Sequence, residues 1–223
     1  MSVTESPQFF LAPIAGYEDE VRRIFRATLI VGKPMSSNLI NFDLYESMCL
    51  DWYLIHEPAN AAVVLDENHS VLGYALVCLE TERYEKWLKA KAYKVARKNF
   101  LALLLGRMSK VDRQFYSRRF LDSFTVALSR SKADIHSEPH AHLNIVPGSR
   151  TGGTALTLLE HIDTVCRKSG SDSWVGEVNA VGNKRSKALV RVVGQVIDSK
   201  KNRTASHFAG TEVNRLTVRR TLA

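Results

Sequence analysis

Cysteine is scarce in this sequence. Cys49, Cys78 and Cys166 are far apart and form no CxxC pair, so neither a disulfide framework nor a cysteine zinc site is expected. No apolar run approaches the ~20 residues that span a bilayer; the longest strongly apolar stretch is residues 100–105. Residues 1–10 have no basic start and no long apolar core, so no secretory leader is expected. No repeat, low-complexity tract or Pro/Gly-rich linker divides the 223 residues. There is no GxxxxGKS/T loop, and no GxGxxG followed by an acid at the end of the next strand, which excludes two common nucleotide-binding devices. These absences point to a reduced, cytoplasmic enzyme or binding protein, with residues 1–223 forming one domain and no membrane partner.

The charge that is present is unevenly placed. Residues 1–80 hold 4 Lys/Arg against 11 Asp/Glu, whereas residues 81–132 hold 14 against 4 and residues 183–223 hold 10 against 2. A basic C-terminal block suits a polyanionic small molecule, and an acidic N-terminal block suits a cationic partner such as a protonated amine.

Hydrophobic periodicity gives the order of elements. Residues 9–14 read as a strand, 18–29 as a helix with acids in its first turn, and 44–54 as a second helix capped by Asp43. Residues 61–65 and 71–79 form a hairpin whose link, Asp66-Glu-Asn-His69, carries turn chemistry. From 81 to 132 the pattern becomes a basic helical insertion in two parts separated by Gly106. Phe115, Tyr116, Phe120, Leu121, Phe124 and Leu128 give the second part its apolar spacing. A strand follows at 140–146, then a glycine-bearing loop. The helix at 154–169 comes next, with Leu156, Leu159, Ile162 and Cys166 on one face, and after it a strand at 174–181. A helix at 183–193 and strands at 195–198 and 213–221 complete a mixed α/β domain.

The informative stretch is His140-Ala-His-Leu-Asn-Ile-Val-Pro147 followed by Gly148-Ser-Arg-Thr-Gly-Gly-Thr-Ala155. A strand that feeds a glycine-rich turn and a helix N-terminus makes a pyrophosphate site, because backbone N–H groups and the helix dipole favour an anion. Arg150 adds a fixed cation.

Arg150-x-x-Gly153-x-Ala155 resembles the R/Q-x-x-G-x-G/A loop of the GNAT N-acetyltransferase superfamily, which holds the pyrophosphate of acetyl-CoA. Asn183, followed eleven residues later by Gly194, matches the spacing of that family's second signature. Together with H-x-H-x-N-x-x-P, the stretch Tyr53-Leu…Pro58…Val63-Val64…Gly73-Tyr-Ala-Leu76 is also similar to bacterial GNAT proteins related to the acetyltransferase-like domain that accompanies some O-GlcNAc hydrolases. The resemblance implies a mixed, mostly antiparallel GNAT-type sheet flanked by helices. It implies direct transfer of an acetyl group from acetyl-CoA, as co-substrate, to a primary amine. It also implies that Leu143, Ile145, Val146, Arg150, Thr151, Gly152, Gly153, Thr154, Ala155 and Asn183 contact acetyl-CoA, with amides of the 143–146 segment supporting the thioester. Lys184, Arg185 and Lys187 are candidates for its phosphates. The family usually has a tyrosine seven residues after the Asn, where it protonates the departing thiolate; this chain has Val190, so another group must serve.

Glu177, in Gly176-Glu-Val-Asn179, resembles the catalytic glutamate of some members, displaced by one residue. The competing reading is a surface glutamate paired with Lys or Arg. His140, His142 and Asn144 alternate on one strand face, and an unperturbed imidazole titrates at about 6.5, which suits a base or relay. His142 and Asn144 are the candidates to act with Glu177; the competing reading, a polar strand face packed under the insertion, applies to His142 and more strongly to His140. Two histidines without a third ligand make no metal site.

Family geometry puts the acceptor near the first two helices, where Glu18, Asp19, Glu20, Asp43 and Glu46 suit a cationic amine and Tyr45 and Trp52 could form walls. A longer acyl donor, with the insertion lining a tunnel, is a variant of the same reading. The apolar run of the insertion also suits a packing face or a homodimer. The alternative is a catalytically weak GNAT-like module whose basic insertion binds nucleic acid or a protein. Nucleic acid is the weaker partner, since no recognition motif is present.

Overall fold

The computed structural model describes residues 9–35, 37–130, 138–150, 152–182 and 191–222, without the side chains of 127–130. Its strands are β1 (Phe10–Pro13), β2 (Ala62–Leu65), β3 (Val71–Cys78), β4 (His140–Ile145), β5 (Ser173–Val181), β6 (Gln195–Lys201) and β7 (Val213–Thr221). Its helices are α1 (Glu18–Thr28), α2 (Phe42–Asp51), α3 (Thr81–Leu104), α4 (Lys110–Arg130), α5 (Gly152–Lys168) and α6 (Arg203–Ala209).

The expected hairpin turn works through Asp66, whose carboxylate accepts from the amides of Asn68 at 2.9 Å and Ser70 at 2.8 Å. This fixes β2 against β3 and starts a seven-stranded sheet in the order β1-β2-β3-β4-β5-β7-β6. Every neighbouring pair is antiparallel except β4 with β5. The protein is therefore a mixed α/β fold with a mostly antiparallel open sheet.

Because side chains alternate across a strand, β2 and β3 feed two cores. Val63, Leu65, Tyr74 and Leu76 pack with Val21, Ile24, Leu50, Trp52 and Tyr53 under α1 and α2. Val64, Ala75 and Val77 pack with Leu158, Leu159, Ile162 and Cys166 of α5. The core face of α5 uses Leu158, and Leu156, expected inside, is 49% exposed. A third cluster joins Ile30, Leu39 and Tyr45 to Phe115 of α4.

Other boundaries differ for identifiable reasons. Asn41, with φ +54°, and not Asp43, stands at the start of α2, and Asp43 is solvent-exposed beside Arg26. The second helix runs on into a single π-turn over Trp52–His56. Helix α6, unforeseen from the sequence, is capped by the Asn202 side chain accepting from Ala205 N at 2.9 Å and stops at Gly210 with φ +67°. The helix expected at 183–193 falls mostly outside the described residues; 191–193 are helical.

Between β3 and β4, residues 81–104 and 110–130 are helical, as expected. Glu57, 7% exposed, anchors its start by accepting from the amides of Leu79 at 2.9 Å and Glu80 at 3.2 Å and from Trp52 Nε1. In α4, by contrast, Phe120, Leu121 and Phe124 are exposed, so the aromatic spacing marks a core contact only around Phe115. Among the described residues, no helix is long and apolar enough to cross a membrane.

Candidate active site

Strands β4 and β5 pair for only two registers, His140 with Val175 and Ala141 with Gly176. Beyond these, β4 stays bonded to β3 as far as Ile145, and β5 stays bonded to β7 as far as Val181. The two strands therefore diverge, and a wedge opens in the sheet. The amide of Val146 donates to Leu72 O at 2.8 Å, toward β3. Alternation along the strand then turns the amides of Leu143 and Ile145 toward the wedge. This corrects the expectation for Val146: its N–H is used within the sheet.

The wedge leads to the N-terminus of α5, whose first amides have no partner within the helix and attract anions. A Cβ built on Gly152 meets nothing within 4 Å, so the backbone there is open to a ligand. Gly153 differs, because a Cβ on it would lie 2.7 Å from the Phe9 ring, so its smallness is used in packing. Thr154 is fully buried and Ala155 packs on the α5 core, so each can offer only backbone to a ligand. Arg150 points elsewhere than expected. Its Nε donates to Ile145 O at 3.3 Å, and its guanidinium lies where a Cβ of Gly32 would be. Thr151, Asn183, Lys184, Arg185, Lys187 and Val190 lie outside the described residues.

Continuing the β4–β5 register past the split sets His142 opposite Glu177 and Asn144 opposite Asn179. These side chains share the sheet face away from α5, because Trp174, on the opposite face, donates its Nε1 to Asp163 of α5 at 2.8 Å. Asn144 Nδ2 donates to Tyr74 Oη at 2.6 Å. His140 packs inward, its Nε2 hydrogen-bonded to Tyr53 Oη at 2.8 Å and its ring 4.6 Å from that of Tyr84 on α3. Of the two histidines it is the packed one, and His142 is exposed at the wedge. Burial drives the pKa values of Tyr53 and Tyr74 well above the ordinary phenol value, keeping both hydroxyls protonated.

Glu177 forms an ion pair with Arg215 of β7 at 3.5 Å. This pairing matches the reading of Glu177 as a strand glutamate partnered by an arginine. Asn179 accepts from Asn202 Nδ2 at 2.9 Å. Over this face runs α4, with Phe115, Arg119 and Asp122 on one side at helical spacing. Phe115 packs edge-on against Tyr45, and the Arg119 guanidinium lies 5.5 Å from the Tyr45 ring centre. Sequence reading passed over Asn179, Arg119, Arg215 and Tyr74; only the alternation past Glu177 could have marked Asn179.

Of the acids expected to receive a cationic acceptor, Asp43 is exposed beside Arg26 and Glu46 is taken up by the fold. Glu46 is 2% exposed and bonded to Arg22 and Arg26. Tyr45 and Trp52, expected as walls, are 3% and 1% exposed and belong to the cores. Among the described residues no group of three or more His, Cys, Asp or Glu is arranged to hold a metal ion.

No protein-family model matches the sequence, and no curated protein matches it. Solved structures do resemble the fold. One named SsHAT has a TM-score of 0.61 and 17% identity, over 97% of this chain and 100% of that one. A GCN5-related N-acetyltransferase from Kribbella flavida has a TM-score of 0.53 and 11% identity, over 96% and 98%. A GNAT-superfamily phosphinothricin acetyltransferase from Sinorhizobium meliloti, in complex with acetyl-CoA, has 0.50 and 16%, over 97% and 89%. At these identities the likeness is one of fold, and the fold is that of the GNAT superfamily.

Proposed function

We propose that this chain is an acetyl-CoA-dependent N-acetyltransferase that acts on a primary amine by direct attack on the thioester. The observation that carries this reading is the wedge between β4 and β5 opening onto the N-terminus of α5. A wedge of this kind exposes strand amides to an extended ligand and ends at an anion-binding helix start. Acetyl-CoA, as co-substrate, supplies the acetyl group.

In this reading the chain's own residues divide the work. The amides of Gly152 and its neighbours at the start of α5 hold the pyrophosphate. The Leu143 and Ile145 amides, fixed by the pairing of β4 with β3, stabilise negative charge on the thioester oxygen without reorganising. Glu177 accepts a proton from the acceptor ammonium, directly or through water, and His142 and Asn144 orient the amine or relay the proton. Tyr74 Oη, bonded to Asn144, is a protonated hydroxyl beside the wedge.

The test is thermal stabilisation by acetyl-CoA and CoA, with ATP as control, in the wild type and in Gly152→Trp, whose Cβ meets no atom within 4 Å and whose ring is added on the open side of the loop. A ligand at 100 times its Kd stabilises by about 2.7 kcal/mol, roughly 5–10 °C in a chain of this size. Stabilisation by acetyl-CoA and CoA but not ATP, lost in the variant, supports the reading. No shift with any acyl-CoA sinks it.

A further inference from the structure

Helix α3 carries two apolar stripes, and the fold uses only one. Tyr84, Val95, Asn99 and Ala102 are buried and recur at helical spacing toward the body of the protein. Tyr93, Phe100 and Leu104, seven and four residues apart, fall on one line on the opposite side. They are 71%, 59% and 66% exposed. Leu101, Leu103 and Leu105 crowd the same end of the helix, also exposed, immediately before Gly106.

The surrounding charge is of one sign. Between residues 86 and 121 there are eleven Lys/Arg and a single acid, Asp112. That acid is buried, and its carboxylate accepts from the amides of Ile40 and Ser109, both at 2.8 Å. Lys94, Arg97, Lys98 and Arg107 are exposed and interleave with the apolar line.

We propose that the C-terminal end of α3 docks on an anionic phospholipid surface. Phe100, Leu101, Leu104 and Leu105 enter the boundary between headgroups and acyl chains, while the lysine and arginine heads reach up to the phosphates on their flexible stems. No span of the bilayer is involved; the helix lies at the interface. The charge pattern selects this occupant. Two copies of the face pressed together would oppose cation to cation. In the N-terminal half, Glu46 is engaged with Arg22 and Arg26, Asp51 with Arg22 and Lys91, and Glu57 with backbone amides. A nucleic acid would satisfy the cations and leave the apolar line in water. The proposal is independent of the acetyltransferase reading.

The experiment is co-sedimentation of the full chain with vesicles of phosphatidylcholine alone and of phosphatidylcholine with phosphatidylglycerol, at low and high salt. Two variants accompany the wild type, Phe100→Asp with Leu104→Asp, and Lys94→Gln with Arg97→Gln and Lys98→Gln. All these side chains are exposed, and an unchanged thermal melt verifies folding. The wild type should partition into the anionic vesicles and, weakly, into the neutral ones. Each neutralised cation should lower the partition about fivefold, and the aspartate pair should abolish it. Failure to partition into anionic vesicles overturns the proposal. So does partition that the aspartate pair leaves unchanged. A concentration-dependent dimer that Leu104→Asp dissolves without vesicles would assign the face to a second copy, and duplex RNA or DNA displacing the vesicles without loss in the aspartate pair would assign it to nucleic acid.

Discussion

Asp122 of α4 caps α6 across 82 positions of sequence: its Oδ2 accepts from Thr204 N at 2.9 Å and from Thr204 Oγ1 at 2.8 Å. Its Oδ1 takes the amide of Arg203 at 3.0 Å. One buried carboxylate thus satisfies the first amides of a seven-residue helix and ties the β6–β7 connection to α4. Asp122→Ala leaves those buried donors without an acceptor. It should cost about 2–3 kcal/mol, read as a lower denaturation midpoint in urea at unchanged m. Asp122→Asn, which keeps an acceptor oxygen, should cost less.

Glu177→Gln keeps the shape of the side chain and removes the proton acceptor. If Glu177 is the general base, kcat should fall by roughly 10²–10⁴-fold while the KM for acetyl-CoA stays nearly constant. Steady-state kinetics with an accepted amine, followed by release of free thiol, measures both. A kcat within twofold of wild type would return Glu177 to the role of Arg215's ion-pair partner.

Asp51 has an acid-sensitive role in stability. Burial alone would raise its pKa, but hydrogen bonds from Ser47 and Arg22 and the charges of Arg22 and Lys91 outweigh burial and hold it below the ordinary 3.8. A carboxylate depressed in the folded state stabilises fully above its unfolded value, and that contribution is lost as pH falls through the folded value. Thermal melts between pH 7 and pH 2 should show part of the acid loss disappear in Asp51→Asn, whose stability at pH 7 is already lower.

Gly73 sets how closely β3 approaches the lip of the wedge. A Cβ there would lie 2.7 Å from Asn144 O and 3.2 Å from Ile145 Cα, both backbone atoms that cannot swing aside. Gly73→Ala should destabilise by about 1–3 kcal/mol, or roughly 2–4 °C in Tm per kcal/mol for a chain of this length. Because it displaces the strand carrying Asn144, it should also weaken acetyl-CoA binding if the wedge is the co-substrate site.

The hairpin at Asp66, the run from β4 through the glycine loop to α5, and the strands β5 and β7 were legible because their signals are local. A turn carboxylate bonds its own amides, an apolar residue recurs every second or every third and fourth position, and a glycine opens a helix. Helix α6 was missed because seven residues are too few for periodicity to register, although Asn202 and Gly210 stand at its ends as cap and stop. Leu156 and Leu158 are both leucines within one turn of α5, and only the sheet beneath decides which is covered.

The sequence by itself determined the mixed α/β order, the strand–loop–helix that runs from β4 to α5, and the alternating polar face of β4. It could not determine which charges remain available for chemistry. Arg150 lies against Gly32, Glu46 is held by two arginines, Glu177 faces Arg215, and Asp122 reaches Thr204. Each of these pairings joins residues 20 to 118 positions apart. Spacing along a chain records which side of its own element a residue faces; which other element it meets there is decided only when the sheet and helices close on each other.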